Sequence, residues 1–143
     1  MPDAAHHRAR TAGTIGAAAS HGYLAILASN ELLNYTVPTR YRLVDEIASD
    51  FLWGWMHLLA MLLLIVAAWR PHMWYGGRHI NFAAIACSLG FAFMGTWAFF
   101  HLLWGLSATR PVSLAGPGLA FVVAAGEHLL AAAWRRGTYN KGR

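Results

Sequence analysis

Three stretches of this chain are too long and too free of charge to fold as ordinary parts of a water-soluble domain. Residues 51–69 and 79–109 contain no Asp, Glu, Lys or Arg, and between residues 111 and 134 the only such residue is Glu127. A run of about 18 or more apolar residues without charge is long enough to cross a bilayer as a helix. Composition agrees: 57% of the 143 residues are hydrophobic and 12% are charged, against roughly 25% charged in soluble domains. The fold class expected is an all-α integral membrane protein.

The segment before these runs is harder to read. From Thr11 to Thr39 its only formal charge is Glu31, but Gly13, Gly16, Ser20, His21 and Gly22 dilute its apolar character. A transmembrane helix over residues 12–34, a surface amphipathic helix and a signal peptide all fit. Pro38 ends any helix arriving from before it, and Leu43, Ile47 and Phe51 then recur at a spacing of four, as in a short amphipathic turn. Further helices are expected over residues 51–69, 80–106 and 112–134. Pro71 and Gly76-Gly77 mark a tight loop between the first two of these. Gly116-Pro117-Gly118 lies near the start of the last and is a candidate kink. Residues 1–10 read as a disordered polar tail, 11–136 as the membrane domain and 137–143 as a basic tail.

Charge placement gives a topology. With four spans both termini share a side with Arg8, Arg10, Arg70, Arg78, Arg135, Arg136, Lys141 and Arg143, and the far side holds Arg40, Arg42 and Arg110 beside Asp45, Glu46 and Asp50. The basic side is cytoplasmic by the positive-inside rule. A three-span chain weakens this contrast, so a bundle of four helices in the cytoplasmic membrane, N-in and C-in, is expected. Trp53, Trp55 and Trp104 fall at the outer boundary and Trp69, Trp74 and Trp134 at the inner one, where aromatic belts form. Only Trp97 lies well inside a span. The net charge of +5 serves topology, and no basic face with interleaved aromatics points to nucleic acid.

Ionisable residues inside a membrane are costly and mark candidate sites. His57 and His101 fall in an outer layer. Glu127, His128 and His21 fall in an inner one. Gly116, Ala120, Ala124, His128 and Ala132 form a row at spacing four on the last helix; Ala84, Ser88, Ala92 and Thr96 form another on the helix before it. Rows of small residues let membrane helices approach closely. They make Glu127, His128, Gly116, Ala120, Ala124, Ser88, Ala92 and Thr96 the candidate helix-packing or pore-lining residues. His128 is expected to point at a neighbouring helix or subunit, with Glu127 beside the seam.

Three functions fit. The first is a holin-like protein that oligomerises in the membrane and permeabilises it. The second is a haem- or quinone-binding anchor using His57 and His101, on two helices as a bis-histidine haem requires. The third is a proton- or ion-coupled subunit using Glu127. No HExxH, no GxSxG and no carboxylate pair occurs inside the spans, so no enzyme is expected. Cys87 is single and reads as a packing residue. No cofactor, metal site or soluble substrate is expected; the partners are the lipid bilayer and further copies of the chain.

The spans "FLWGWMHLLAMLLLIVAAW", "TWAFFHLLWG" and "GEHLLAAAWRR" resemble, in layout and composition, the small multi-helix, holin-like membrane proteins of tailed phages of actinobacteria. The resemblance extends from about residue 20 onward. It implies a multi-span, oligomerising membrane protein and assigns no individual residue.

The topology is testable. In a Cys87→Ser background, Arg8→Cys and Lys141→Cys should react with an impermeant thiol reagent from the same face of the membrane. Reaction from opposite faces would rule out four spans.

Overall fold

A computed structural model of the protein describes residues 2–34, 50–107 and 115–139. Those residues form helices α1 (Pro2–Asn34), α2 (Asp50–Trp69), α3 (Phe82–Ser107) and α4 (Ala115–Tyr139), with a hairpin of β1 (Met73–Tyr75) and β2 (Arg78–Ile80) between α2 and α3. Within α2, α3 and α4, the segments Leu52–Trp69, Phe82–Leu103 and Pro117–Arg136 are long and apolar enough to cross a membrane. At 1.5 Å per residue such segments reach about 27–33 Å, close to the hydrocarbon thickness of a bilayer. The three helices make the chain compatible with a multi-pass membrane protein.

Successive helices pack antiparallel. His21 of α1 meets His57 of α2, and about one to three turns away Ala17 and Ala18 join Leu64 and Ala67 in a common cluster. That cluster continues through Ala83, Ala84, Ala86 and Cys87 of α3 to Ala131 and Trp134 of α4. Towards the other end, Met94 and Ala98 of α3 pack on Ala120 and Ala124 of α4. The ring closes because α4 also packs on α1, with Trp134 donating its indole Nε1–H to Thr14 Oγ1 at 3.2 Å. The result is an up-down-up-down bundle.

The core side chains are small, mostly alanine, and large apolar residues face outward. Leu59, Leu62, Val122, Leu119 and Leu129 are exposed on the outer surface. In water this distribution would be unfavourable. In lipid it is neutral on the outside, and the small core lets the helices come together.

The ends have local causes. Gly76 and Gly77 both have positive φ, 56° and 75°, as a two-residue type I′ turn requires. The expected loop is therefore a hairpin, with Trp74 opposite His79. Helix α3 begins two residues later than expected because 78–80 pair as a strand and Asn81 caps the helix, accepting the Ala84 N–H at 3.1 Å. Helix α4 begins at Ala115, so Pro117 sits in its first turn, where a missing N–H is tolerated. The expected kink is replaced by a helix start.

The first ten residues also depart from expectation. They are helical from Pro2 rather than a disordered tail. The Arg10 guanidinium donates to the Ala133 carbonyl at 3.2 Å and lies 4.9 Å from the centre of the Trp134 ring, so α1 is fastened to α4 well before its apolar part begins. Helix α4 likewise runs on to Tyr139, into the expected basic tail. The readings of Pro38, the amphipathic turn after it, the turn near residue 109 and the last four residues lie outside the described residues.

The aromatic belt is corrected in part. Trp55, Trp69 and Trp74 are exposed as expected, but Trp53 and Trp134 are buried, at 4% and 1% exposure. Trp134 is a core residue that fills the space among four helices. Trp134→Ala should cost about 3–5 kcal/mol, read as a lower midpoint of SDS-induced unfolding from mild detergent. Trp74→Ala, at an exposed site, should shift stability by less than about 0.5 kcal/mol.

Candidate functional site

Between the two apolar clusters lies one polar layer. His21 reaches it from α1, His57 from α2 and Glu127 from α4, and all three are buried, at 0–1% exposure. His21 Nε2 lies 2.8 Å from Glu127 Oε1, and His21 Nδ1 lies 2.8 Å from His57 Nδ1. The central imidazole thus bonds through both ring nitrogens and links three helices. At the two ends of the array, Glu127 Oε2 and His57 Nε2 are buried with no hydrogen-bond partner among the described residues.

Helix α3 contributes a space. Gly90 is buried opposite the array, and a Cβ placed there would lie 2.9 Å from Glu127 Oε1 and 3.2 Å from His21 Nε2. The carboxylate and imidazole occupy the room that glycine leaves. Sequence reading passed over Gly90; the signal was its place on the same face as Cys87 and Met94.

Above the layer lies an aromatic step. The Trp97 indole stacks on His101, with ring centres 3.9 Å apart, and His57 meets the same indole edge-on at 6.3 Å. His101 donates its Nδ1–H to the Trp97 carbonyl at 2.9 Å, one turn back on α3. That bond fixes the tautomer of a neutral His101, because a carbonyl can only accept.

The array supports two proton registers at one set of heavy-atom positions. With Glu127 ionised, His21 donates from Nε2 to Glu127 and His57 donates from Nδ1 to His21. His57 Nε2 is then a bare lone pair. A proton added there lets His57 pass its Nδ1 proton to His21 Nδ1, and His21 pass its Nε2 proton to Glu127. Glu127 is then neutral and donates to His21, which donates to His57. One proton has entered at His57, one has appeared on Glu127, and both hydrogen bonds survive with donor and acceptor exchanged.

His57, expected in the outer layer, therefore joins His21 and Glu127 of the inner one, while His101 stays apart. His57 and Glu127 lie on either side of His21 in a single array. The small-residue rows are corrected as well. Ala120, Ala124 and Ala84 are buried and Ser88 is half-buried, but Ala92, Thr96 and His128 are exposed. The hydroxyl of Ser88 donates within its own helix, to the Ala84 carbonyl at 2.8 Å. The inward face of α4 runs through Ala120, Ala124, Glu127, Ala131 and Trp134, so Glu127 lies on the seam rather than beside it and His128 lies at its edge. The cause is helix geometry: a step of four residues overshoots a 3.6-residue turn by about 40°, so a strict row of fours rotates off the interface. His128 turns outward, its ring 5.2 Å from that of Phe91 on α3. The side chain of residue 116 lies outside the described ones.

The candidate haem pair, His57 and His101, flanks the Trp97 indole, and the Nε2 atoms of both imidazoles are buried. Among the described residues no group of three or more His, Cys, Asp or Glu side chains is placed to hold a metal ion. Cys87 is buried in the apolar cluster, in keeping with a packing residue.

Comparisons with family models, curated proteins and solved structures find no match to this chain.

Gly90→Ala is the most selective test of the array's geometry, since it changes no polar group. It should displace the Glu127 carboxylate and lengthen its bond to His21, seen as a changed 15N shift of His21 Nε2. Gly95→Ala, where a Cβ would find its nearest neighbour at 3.9 Å, should leave that shift unchanged.

Proposed function

We propose that this chain is a proton-handling, multi-pass protein of the cytoplasmic membrane. The observation that carries the reading is the buried array Glu127–His21–His57, hydrogen-bonded end to end inside a bundle of apolar helices. Chains of Glu and His within a membrane bundle are the usual groups of proton relays. The array is poorly suited to metal cations, which seek several oxygen ligands, whereas it offers one carboxylate and imidazole nitrogens.

The same array supports α1 as a fourth span. His21 meets His57, which lies inside Leu52–Trp69, and Glu127, which lies inside Pro117–Arg136. A helix whose side chain sits at that depth runs through the bilayer beside its neighbours. Four antiparallel spans put both termini on one side, and the excess of arginine makes that side cytoplasmic.

A second reading, holin-like permeabilisation by self-association, is favoured by a separate observation. His128 is exposed on the outer face of α4, within the apolar segment Pro117–Arg136. A polar ring facing lipid is stabilised when another copy covers it. In this reading the lesion is lined from the outer face, where His128 and Thr96 lie, and the buried array plays no part.

One set of variants separates the two. Protein in vesicles holding a trapped pH dye should take up protons under an imposed inside-negative potential. Glu127→Gln and His21→Phe should slow that uptake about tenfold or more, the scale of a lost proton-transfer group, and His128→Leu should leave it unchanged. Uptake at the rate of empty vesicles, or uptake indifferent to Glu127→Gln, would sink the relay. Abrupt depolarisation of cells on expression, abolished by His128→Leu and not by Glu127→Gln, would favour the holin-like reading instead.

A further inference from the structure

We infer that Trp97 is the gate of the array: protons reach His57 from the His101 end only when the Trp97 indole moves aside. The inference rests on the relay reading and adds the direction of access.

The argument begins with the ends. Among the described residues the buried titratable groups are His21 on α1, His57 on α2, Cys87 and His101 on α3, and Glu127 on α4, with the half-buried His72 after α2 keeping its Nδ1 buried. Beyond Glu127, towards Arg10, the interior is the apolar cluster of Ala17, Ala18, Leu64, Ala67, Ala131 and Trp134. Its polar members are already committed, because Thr14 donates to the Arg10 carbonyl at 2.8 Å and accepts from Trp134 at 3.2 Å. Among the described residues that end is an apolar plug about two helical turns deep, holding no ionisable group but Cys87 until the Trp134 ring, which meets His7 at 5.6 Å and His72 at 6.4 Å.

The other end differs. His57 Nε2 is buried, lacks a hydrogen-bond partner among the described residues, and is the array's entry atom. The next ionisable group outward is His101, two residues short of the end of the apolar segment Phe82–Leu103 and so close to the interface. Trp97 lies against both imidazoles, its ring centre 6.3 Å from that of His57 and 3.9 Å from that of His101. The indole and the His57 ring meet at 76°, and an indole in that place does not relay a proton as a hydroxyl or water would. Its hold on His101 is a stacked ring contact, and aromatic contacts of this kind are weak enough to exchange. The His101 to Trp97 carbonyl bond keeps the imidazole over the indole while the barrier is closed.

The gate is tested by water exchange. Protein with 15N-labelled histidine, in hydrated bilayers, is examined by solid-state NMR for proton exchange between water and each imidazole. In the wild type, His101, buried but nearest the interface, should exchange roughly tenfold or more faster than His57 and His21. Trp97→Ala should bring His57 to within about twofold of His101, on the same exchange scale, while the N–H···N coupling between His21 and His57 persists. Trp97→Phe keeps an aromatic wall, gives a smaller rise, and stands in should the alanine variant fail to fold. Free exchange at His57 in the wild type, or continued protection in a folded Trp97→Ala, would overturn the gate. The relay fails on different grounds: if exchange is gated as described but vesicle uptake is absent, the gate stands and the proton-transfer reading falls.

Discussion

The buried polar layer of this bundle turns on the imidazole of His21. A carboxyl group and two imidazoles placed separately in an apolar interior would each lose water without compensation, at a cost of several kcal/mol for a charged group. Joined through His21 they share two short hydrogen bonds. Because the three side chains come from α1, α2 and α4, the layer exists only when those helices are assembled in register. Without α1 in place, Glu127 and His57 would face each other with nothing between them. The contacts of α1 with the far end of α4, through Arg10, Thr14 and Trp134, are what hold His21 at the right height.

The array also needs emptiness beside it. Gly90 leaves room where any side chain would press on Glu127 Oε1, and the alanines above and below bring the helices close enough for the polar groups to meet. The small-residue seams and the polar layer are thus one device. Close packing brings the donors and acceptors within bonding distance and keeps lipid and water from competing for them.

The extent of α2, α3 and α4 was legible because charge depletion is a property of the chain itself. The hairpin turn was half legible: the glycine pair marked a reversal, but three-residue strands leave no periodicity to read. The site was legible as a set of residues and illegible as an arrangement. Position along the helix places His57 and Glu127 in separate layers, because residue spacing carries no information on side-chain reach. His21 could not be tied to either while its segment had three readings. Facing was misjudged for a geometric reason, since rows of exact fours caught His128, Ala92 and Thr96, whereas the true seam alternates threes and fours through Glu127 and Gly90. Trp97 carried a usable signal, as the one tryptophan placed deep in a span, but nothing in the sequence tied it to both His57 and His101.

Stability alone does not account for this layer. Replacing a buried ionic or polar cluster with well-packed apolar residues of similar volume is often neutral or stabilising, and the rest of the core shows that alanine and leucine suffice to join these helices. A bundle held by Leu at positions 21, 57 and 127 would lose two hydrogen bonds and no longer carry two unpartnered buried atoms. The arrangement present keeps those two atoms, one at each end of a chain that can exchange donors for acceptors without moving its heavy atoms. A purely structural polar network would be better served by satisfying them. On the relay reading, ends without partners among the described residues, an apolar cluster on one side and an aromatic ring on the other are what a site that takes up a proton rarely would require.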